Sequence, residues 1–211
     1  MKIAIDIDCT LTNCIDVLID YINSRVPVDL KIGDIKNYCI EDALPEQFRW
    51  IVQAGFRDPE MWTHVQFLPK AADVVERLCA MGHTIYFATS AEPKNMHKKI
   101  NHLARNLDLD YEYIWRHTIN IQDKSLLNVD ILIDDCLKHL LAQDRHYYSI
   151  AIDYPWNQTT GYIPRFTRAK DWTEIASKIK LIEDLTKENE NDMVQPKSFA
   201  RVSRPRRLNP V

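Results

Sequence analysis

The stretch IAIDIDCTLT places Asp6 and Asp8 one residue apart at the end of an apolar run. Successive strand side chains face opposite ways, so these two carboxylates share a face, and carboxylates that close repel unless something cationic sits between them. Either the strand stops here or the pair holds a metal. Three further sets of residues have the right chemistry to join them: Thr10 just beyond the pair, Thr89 and Ser90 at the end of TIYFATS, and Asp134 and Asp135 at the end of VDILIDD. Lys124 stands in the loop before that last run. Several carboxylates together bind a hard cation such as Mg²⁺ through oxygen, while hydroxyls and an ammonium suit the oxygens of a phosphate. Each set also has an ordinary reading: a strand-end cap for Asp6 and Asp8, an exposed turn for Asp134 and Asp135, a surface lysine, and a helix N-cap for Thr89 and Ser90.

These residues can meet only if the fold brings strand ends together. Four segments, KIAIDI, TIYFATS, VDILID and YSIAID, read as buried parallel strands, each a short apolar run ending in polar residues. Helical patterns alternate with them: PKAADVVERLCAMGH, with proline at its start and Gly82 at its C-terminal cap, then PKNMHKKINHLARNL, CLKHLLAQDRH and DWTEIASKIKLIEDL. Such alternation predicts an α/β fold with a doubly wound, mostly parallel sheet, whose strand carboxyl ends line one ligand-binding edge. The rhythm breaks after the first strand, where TNCIDVLIDYINSR, PEQFRWIVQAGF and DPEMWTH read as helices. The expected organisation is a core of residues 1–13 and 69–186, a small helical cap inserted at 14–68 over the carboxyl edge, and a disordered tail, acidic then basic, at 187–211.

Composition narrows the function classes. The chain has 211 residues, 45% hydrophobic, enough for one domain with an insertion. No run suits a membrane span, and the start passes directly into strand-like sequence, so a cytoplasmic protein is expected. Cys9, Cys14, Cys39, Cys79 and Cys136 form no CxxC pair, which signals neither a disulfide framework nor a zinc site. With four glycines and no GxxxxGK[ST], nucleotide P-loop and dinucleotide fingerprints are both absent. The histidines form no HExxH array, and His97 and His102, on a lysine-rich helix, are expected at the surface. The segment Gln195 to Val211 carries Lys197, Arg201, Arg204, Arg206 and Arg207 with no acid in a chain of net charge -3. That tail is either a solvated terminus or a contact for nucleic acid.

The order DxDxT, a strand ending in Thr-Ser, a lysine, then a strand ending in Asp-Asp resembles the haloacid dehalogenase-like superfamily of aspartate-nucleophile phosphatases. Within it, ATSAE followed by QDKSLLNVDILIDD is similar to the 5'(3')-deoxyribonucleotidases over roughly residues 1 to 180. The resemblance implies a Mg²⁺-dependent phosphomonoester hydrolase acting on nucleoside monophosphates, deoxyribonucleotides foremost. Asp6 would be the nucleophile that becomes an aspartyl phosphate, and Asp8 the general acid and base. The metal would be held by Asp6, the backbone carbonyl of Asp8 and Asp134, with Asp135 acting through water or as a neighbour that orients. Thr10, Thr89, Ser90 and Lys124 would bind the phosphoryl oxygens.

The cap should choose the substrate. Among Phe48, Trp50, Phe56, Met61 and Trp62, the expected base contacts are Trp62 and Phe56, joined by Trp156 from the loop DYPWNQTTGY. Two residues depart from the family: Cys9 replaces a glycine, and Cys14 stands where an aromatic stacks on the base. Two rival readings remain: a phosphatase of nucleic-acid 3' ends or of another small phosphomonoester, and a non-catalytic phosphate-binding protein. Oligomeric state is left open, a homodimer included.

Overall fold

The computed structural model describes residues 1–91 and 93–194. Six strands form one all-parallel sheet: β1 (Lys2–Ile5), β2 (Thr84–Thr89), β3 (Thr118–Asn120), β4 (Ile131–Asp134), β5 (Tyr148–Ile152) and β6 (Phe166–Ala169), in the spatial order β3-β2-β1-β4-β5-β6. The chain winds outward from β1 in one direction through β2 and β3, then returns to the other side of β1 with β4. The strand order therefore reverses between β1 and β4, which is where sheets of this kind open a crevice.

The two sheet faces differ in side-chain size. Ile3, Ile5, Ile85, Phe87, Ile131, Ile133 and Ile150 point to one side and pack on α4 (Ala71–Ala80), α5 (Pro93–Asn106) and α8 (Trp172–Val194). Ala4, Ala88, Leu132 and Ala151 point to the other and pack with Leu140 of α7 (Leu137–Leu140) and Tyr147. Burial on both faces explains why these strands read as continuous apolar runs instead of alternating ones.

The four expected strands are present. The edge strands β3 and β6 and helix α6 (Tyr111–His117) were not foreseen. α7 is much shorter than the pattern CLKHLLAQDRH suggested, because Tyr147 Oη donates to the carbonyl of His139 at 2.7 Å and Ser149 Oγ to that of Leu140 at 2.6 Å. Those side chains take carbonyls that a longer helix would have used. At the other extreme α8 continues to Val194, past the expected boundary at residue 186, so residues 187–194 are helical and not a disordered tail. The basic segment from Gln195 lies outside the described residues.

Between β1 and α4 every regular element is helical: α1 (Cys14–Arg25), three short 3-10 turns, α2 (Trp50–Arg57) and α3 (Pro59–Thr63). Cys14, Ile15, Leu18, Ile22, Ile51, Val52 and Met61 bury themselves in a hydrophobic cluster separate from the sheet's. Gly55 permits the close crossing of α2 on α1, since a Cβ there would stand 2.6 Å from Leu18 Cδ1. An antiparallel bridge from Thr12 to Phe67 ties together the two chain segments leading into and out of this region. Among the described residues no helix is long and apolar enough to cross a membrane.

Candidate active site

β1 ends at Ile5, and the chain then turns sharply through Asp8, Cys9 and Thr10. The register pairs Ile5 with Ile133, and Asp6 N still donates to the Ile133 carbonyl at 2.9 Å, so Asp6 lies beside Asp134 at the switch point. Both open readings of the Asp6–Asp8 pair thus hold part of the answer: the strand stops, and Asp6 joins a carboxylate cluster. Carboxylate oxygens of Asp6, Asp134 and Asp135, all buried, lie within 4.8 Å of one another. Asp8 is not in that cluster; its side chain turns away to an ion pair with Lys99 of α5.

Lys124 lies on a 3-10 turn (Lys124–Leu126) whose start is capped by Asp123, which accepts from Ser125 N at 3.1 Å. This turn buries Lys124 to 2% exposure, where its Nζ donates to Asp6 and, at 2.6 Å, to Asp134 Oδ2. Asp134 also accepts from Cys136 N at 2.8 Å and faces His139 Nδ1 at 3.2 Å. Asp135 accepts from Trp156 Nε1 at 3.0 Å, and its carbonyl accepts from Asn157 Nδ2 at 2.9 Å. Asn157, fully buried, also donates to the Ile152 carbonyl, so the loop after β5 fixes the backbone that carries Asp135.

One ammonium shared by two buried carboxylates cannot neutralise both. Burial drives the Asp6 carboxyl up to about 7, with Asp134 and Asp8 adding to the rise and Lys124 opposing it. For Asp134 burial also favours the proton, but Lys124 and His139 together outweigh it and hold this carboxyl below its usual range. Asp135 is raised well above the ordinary value, first by burial and then by Asp134 and Asp6. Burial likewise disfavours the Lys124 ammonium, yet the two carboxylates more than compensate and raise its pKa. Lys99 pairs with Asp8, Lys124 is shared by Asp6 and Asp134, and His139 stands beside Asp134. The clustered carboxylate oxygens of Asp6, Asp134 and Asp135 are a donor set that fits a hard divalent cation.

The cluster floors a cavity of about 490 Å³. Asp6, Asp8, Ser90, Lys124 and Asp135 form its polar end, and Phe56, Trp62 and Trp156 stand in its walls. Trp62 is held by its Nε1 donating to the Phe56 carbonyl at 2.9 Å, and Trp156 stacks on Tyr154 with ring centroids 4.2 Å apart. Thr10 is fully buried, its hydroxyl has no hydrogen-bond partner, and it does not line the cavity. Its visible role is structural, through its carbonyl, which accepts from Trp172 Nε1 at 3.0 Å and ties the turn to α8. Thr89, also fully buried, reaches the site indirectly by accepting from Lys99 Nζ at 2.9 Å. Of the other cap candidates, Met61 is core and Trp50 is exposed, and neither lines the cavity.

Sequence reading missed Lys99, 7% exposed and one turn from residues expected at the surface. His102 on the same helix is half-buried, not a surface residue, and burial lowers its pKa, with Arg105 adding. It also missed Gln53 and Arg57, which share the cavity-facing side of α2 with Phe56. The spacing of 53, 56 and 57 on one helix face was the available signal.

Residues 1–185 match the family described as "5' nucleotidase, deoxy (Pyrimidine), cytosolic type C protein". The chain belongs to this family. It is a phosphomonoester hydrolase of the 5'-nucleotidase kind on a haloacid dehalogenase-like fold, which sets aside the non-catalytic reading. A Staphylococcus epidermidis protein named "Putative 5'(3')-deoxyribonucleotidase" is 24% identical over 185 residues, covering 86% of this chain and 97% of that one. A Staphylococcus aureus protein of the same name is 28% identical over 137 residues, 64% of this chain and 73% of its own. Among solved structures, a haloacid dehalogenase-like hydrolase from Streptococcus pneumoniae aligns with a TM-score of 0.57 at 15% identity, covering 83% of this chain and 97% of that one. A hydrolase of the same superfamily from Deinococcus radiodurans, solved with bound phosphate and sodium, also gives 0.57 at 15% identity, covering 86% and 96%.

Proposed function

We propose that this enzyme hydrolyses nucleoside monophosphates, deoxyribonucleotides foremost, through an aspartyl phosphate on Asp6 with Mg²⁺ as cofactor. The observation that carries this is the position of Asp6: buried at the switch point, bonded to Lys124, and clustered with Asp134 and Asp135 under a cavity walled by Phe56, Trp62 and Trp156.

A carboxylate oxygen of Asp6 attacks phosphorus as the ester P–O bond breaks, and the departing nucleoside oxygen takes a proton from Asp8. Asp8 then accepts a proton from water, whose oxygen attacks the aspartyl phosphate, releasing phosphate and regenerating Asp6. The ion pair with Lys99 presents Asp8 in the form needed for this second step and must part for the first. Lys124 and Ser90, which line the cavity, hold phosphoryl oxygens; Thr89 acts through Lys99. Asp6, Asp134 and Asp135 would hold Mg²⁺, with the Asp8 carbonyl completing the set, and the ion would supply positive charge to oppose that developing on the phosphoryl group. Residues 14–68 serve as the cap, supplying the base contacts Phe56 and Trp62 to a core of 1–13 and 69–186. Cys14, in the cavity wall, leaves room where the family's stacking aromatic would stand, so stacking falls to Trp62 and Trp156.

The test is a screen of ribo- and deoxyribonucleoside 5'- and 3'-monophosphates, with Mg²⁺ and with EDTA. Expected are phosphate release that needs Mg²⁺, a deoxyribonucleotide preference, and a loss of at least about 10³-fold in kcat for Asp6→Asn. Turnover of p-nitrophenyl phosphate alone would leave the phosphatase standing and remove the nucleotide; an active Asp6→Asn would remove the nucleophile.

A further inference from the structure

A second cavity, of about 340 Å³, lies between α5 and α3. From α5 it is lined by Asn95, Lys98, Lys99, His102 and Arg105, residues three or four apart and therefore on one helix face. Pro59 and Trp62 form the opposite, apolar wall. Asp8, Trp62, Asn95 and Lys99 line both cavities, so the two spaces adjoin across this row of side chains, in which Lys99 Nζ sits 5.5 Å from the Trp62 ring centroid.

The charge in this groove is not matched by the protein. Asp8 is the only acid among the described residues that line it, and Lys99 already pairs with it. Lys98 and Arg105 have no hydrogen-bond or ion-pair partner among the described residues, whereas Arg116 and Lys187 on other helices each find a carboxylate. His102 Nε2 is buried without a hydrogen-bond partner. Unpaired cations facing an apolar wall, one row of side chains away from a site built for a phosphate, are a place for a second anion.

We propose that the groove receives a second phosphate on the substrate, so that the preferred substrate class is nucleoside 3',5'-bisphosphates. This rests on the nucleotidase reading of the main site. One phosphate lies over Asp6 and is hydrolysed; the other lies among Lys98, His102 and Arg105 and makes no bond that changes. The two phosphates of such a nucleotide stand on opposite sides of one sugar, matching two anion-binding regions separated by the Lys99–Trp62 row. Arginine and lysine in the adjoining groove discriminate between substrates without taking part in the chemistry.

The experiment compares kcat/KM for thymidine 3',5'-bisphosphate with that for the 5'- and 3'-monophosphates, in wild type and in Lys98→Gln/Arg105→Gln, with circular dichroism to verify the fold of the variant. Wild type should prefer the bisphosphate by about tenfold or more, a preference that weakens with salt and falls toward unity in the double variant. Arg105→Lys should retain part of it. Monophosphate turnover with no bisphosphate preference, or a double variant that slows all three substrates equally, overturns the groove assignment alone. A dinucleotide preferred over the bisphosphate assigns the groove to a phosphodiester chain and overturns it as well. If no nucleotide is turned over while p-nitrophenyl phosphate is, the nucleotidase reading falls and takes this inference with it.

Discussion

Lys99 donates to the carboxylate of Asp8 and, at 2.9 Å, to the hydroxyl of Thr89, so a single ammonium joins α5 to the turn after β1 and to the end of β2. It lies in the walls of both cavities. Removing it leaves Asp8 without its cation and Thr89 without its donor. Lys99→Met should lower kcat about 10²-fold, the scale expected for losing one donor aimed at the reacting centre. Lys99→Arg should not restore it, because a planar fork does not replace a compact point charge in a buried site. A variant with wild-type kcat and only a lower melting temperature would reduce Lys99 to a structural strut.

Lys124 has the opposite weight of structure and chemistry. Its Nζ is the sole ammonium, among the described residues, bonded within the three buried carboxylates, and deletion of one partner from such a set costs about 3–5 kcal/mol. Lys124→Met should show that loss in urea unfolding with EDTA present. Mg²⁺ should return much of it, since a divalent ion supplies the missing charge to the same oxygens. An equal loss with and without Mg²⁺ would mean that the carboxylate cluster does not hold the ion.

The shifted carboxyls also fix the sign of a pH dependence. Asp6 binds its proton more tightly folded than unfolded, so its contribution to stability is complete below the unfolded value of 3.8 and is lost as pH rises through about 7. Asp135, also raised by burial, acts in the same direction, while Asp134, held low by Lys124 and His139 against burial, contributes above its unfolded value and loses that only in acid. In EDTA the melting temperature should therefore fall between pH 5 and pH 8, and Asp6→Asn should flatten the slope. A wild-type melting temperature that rises steadily over that range contradicts the placement of Asp6.

What the sequence made legible followed from strong periodicities and paired charges. β1, β2, β4 and β5 are buried on both faces and read as apolar runs; Asp6, Lys124, Asp134 and Asp135 announce themselves as charges at or between those runs. β3 and β6 were illegible because edge strands of three and four residues carry mixed, half-buried side chains. Lys99 was hidden among Lys94, Lys98 and His97, since a helix with many lysines does not say which one turns inward.

Cys9 is where the backbone demands more than its side chain favours. It occupies φ +58°, the left-handed region in which glycine is unstrained, and it sits directly after Asp8 in the turn that sets both carboxylates. The family's glycine at this place is thereby explained by the backbone, and cysteine survives as an unbranched residue whose Sγ lies 3.1 Å from that of Cys14. Cys9→Gly should keep both fold and turnover. Cys9→Val should cost about 1–2 kcal/mol or more, because a β-branched side chain collides with its own backbone in this region. The same variant should lower kcat more than it raises KM, since the displaced turn carries the reacting groups, whereas the aromatic walls Phe56, Trp62 and Trp156 lie on other elements. A valine variant with wild-type stability and kcat would mean that the turn relaxes to negative φ without moving Asp6 or Asp8.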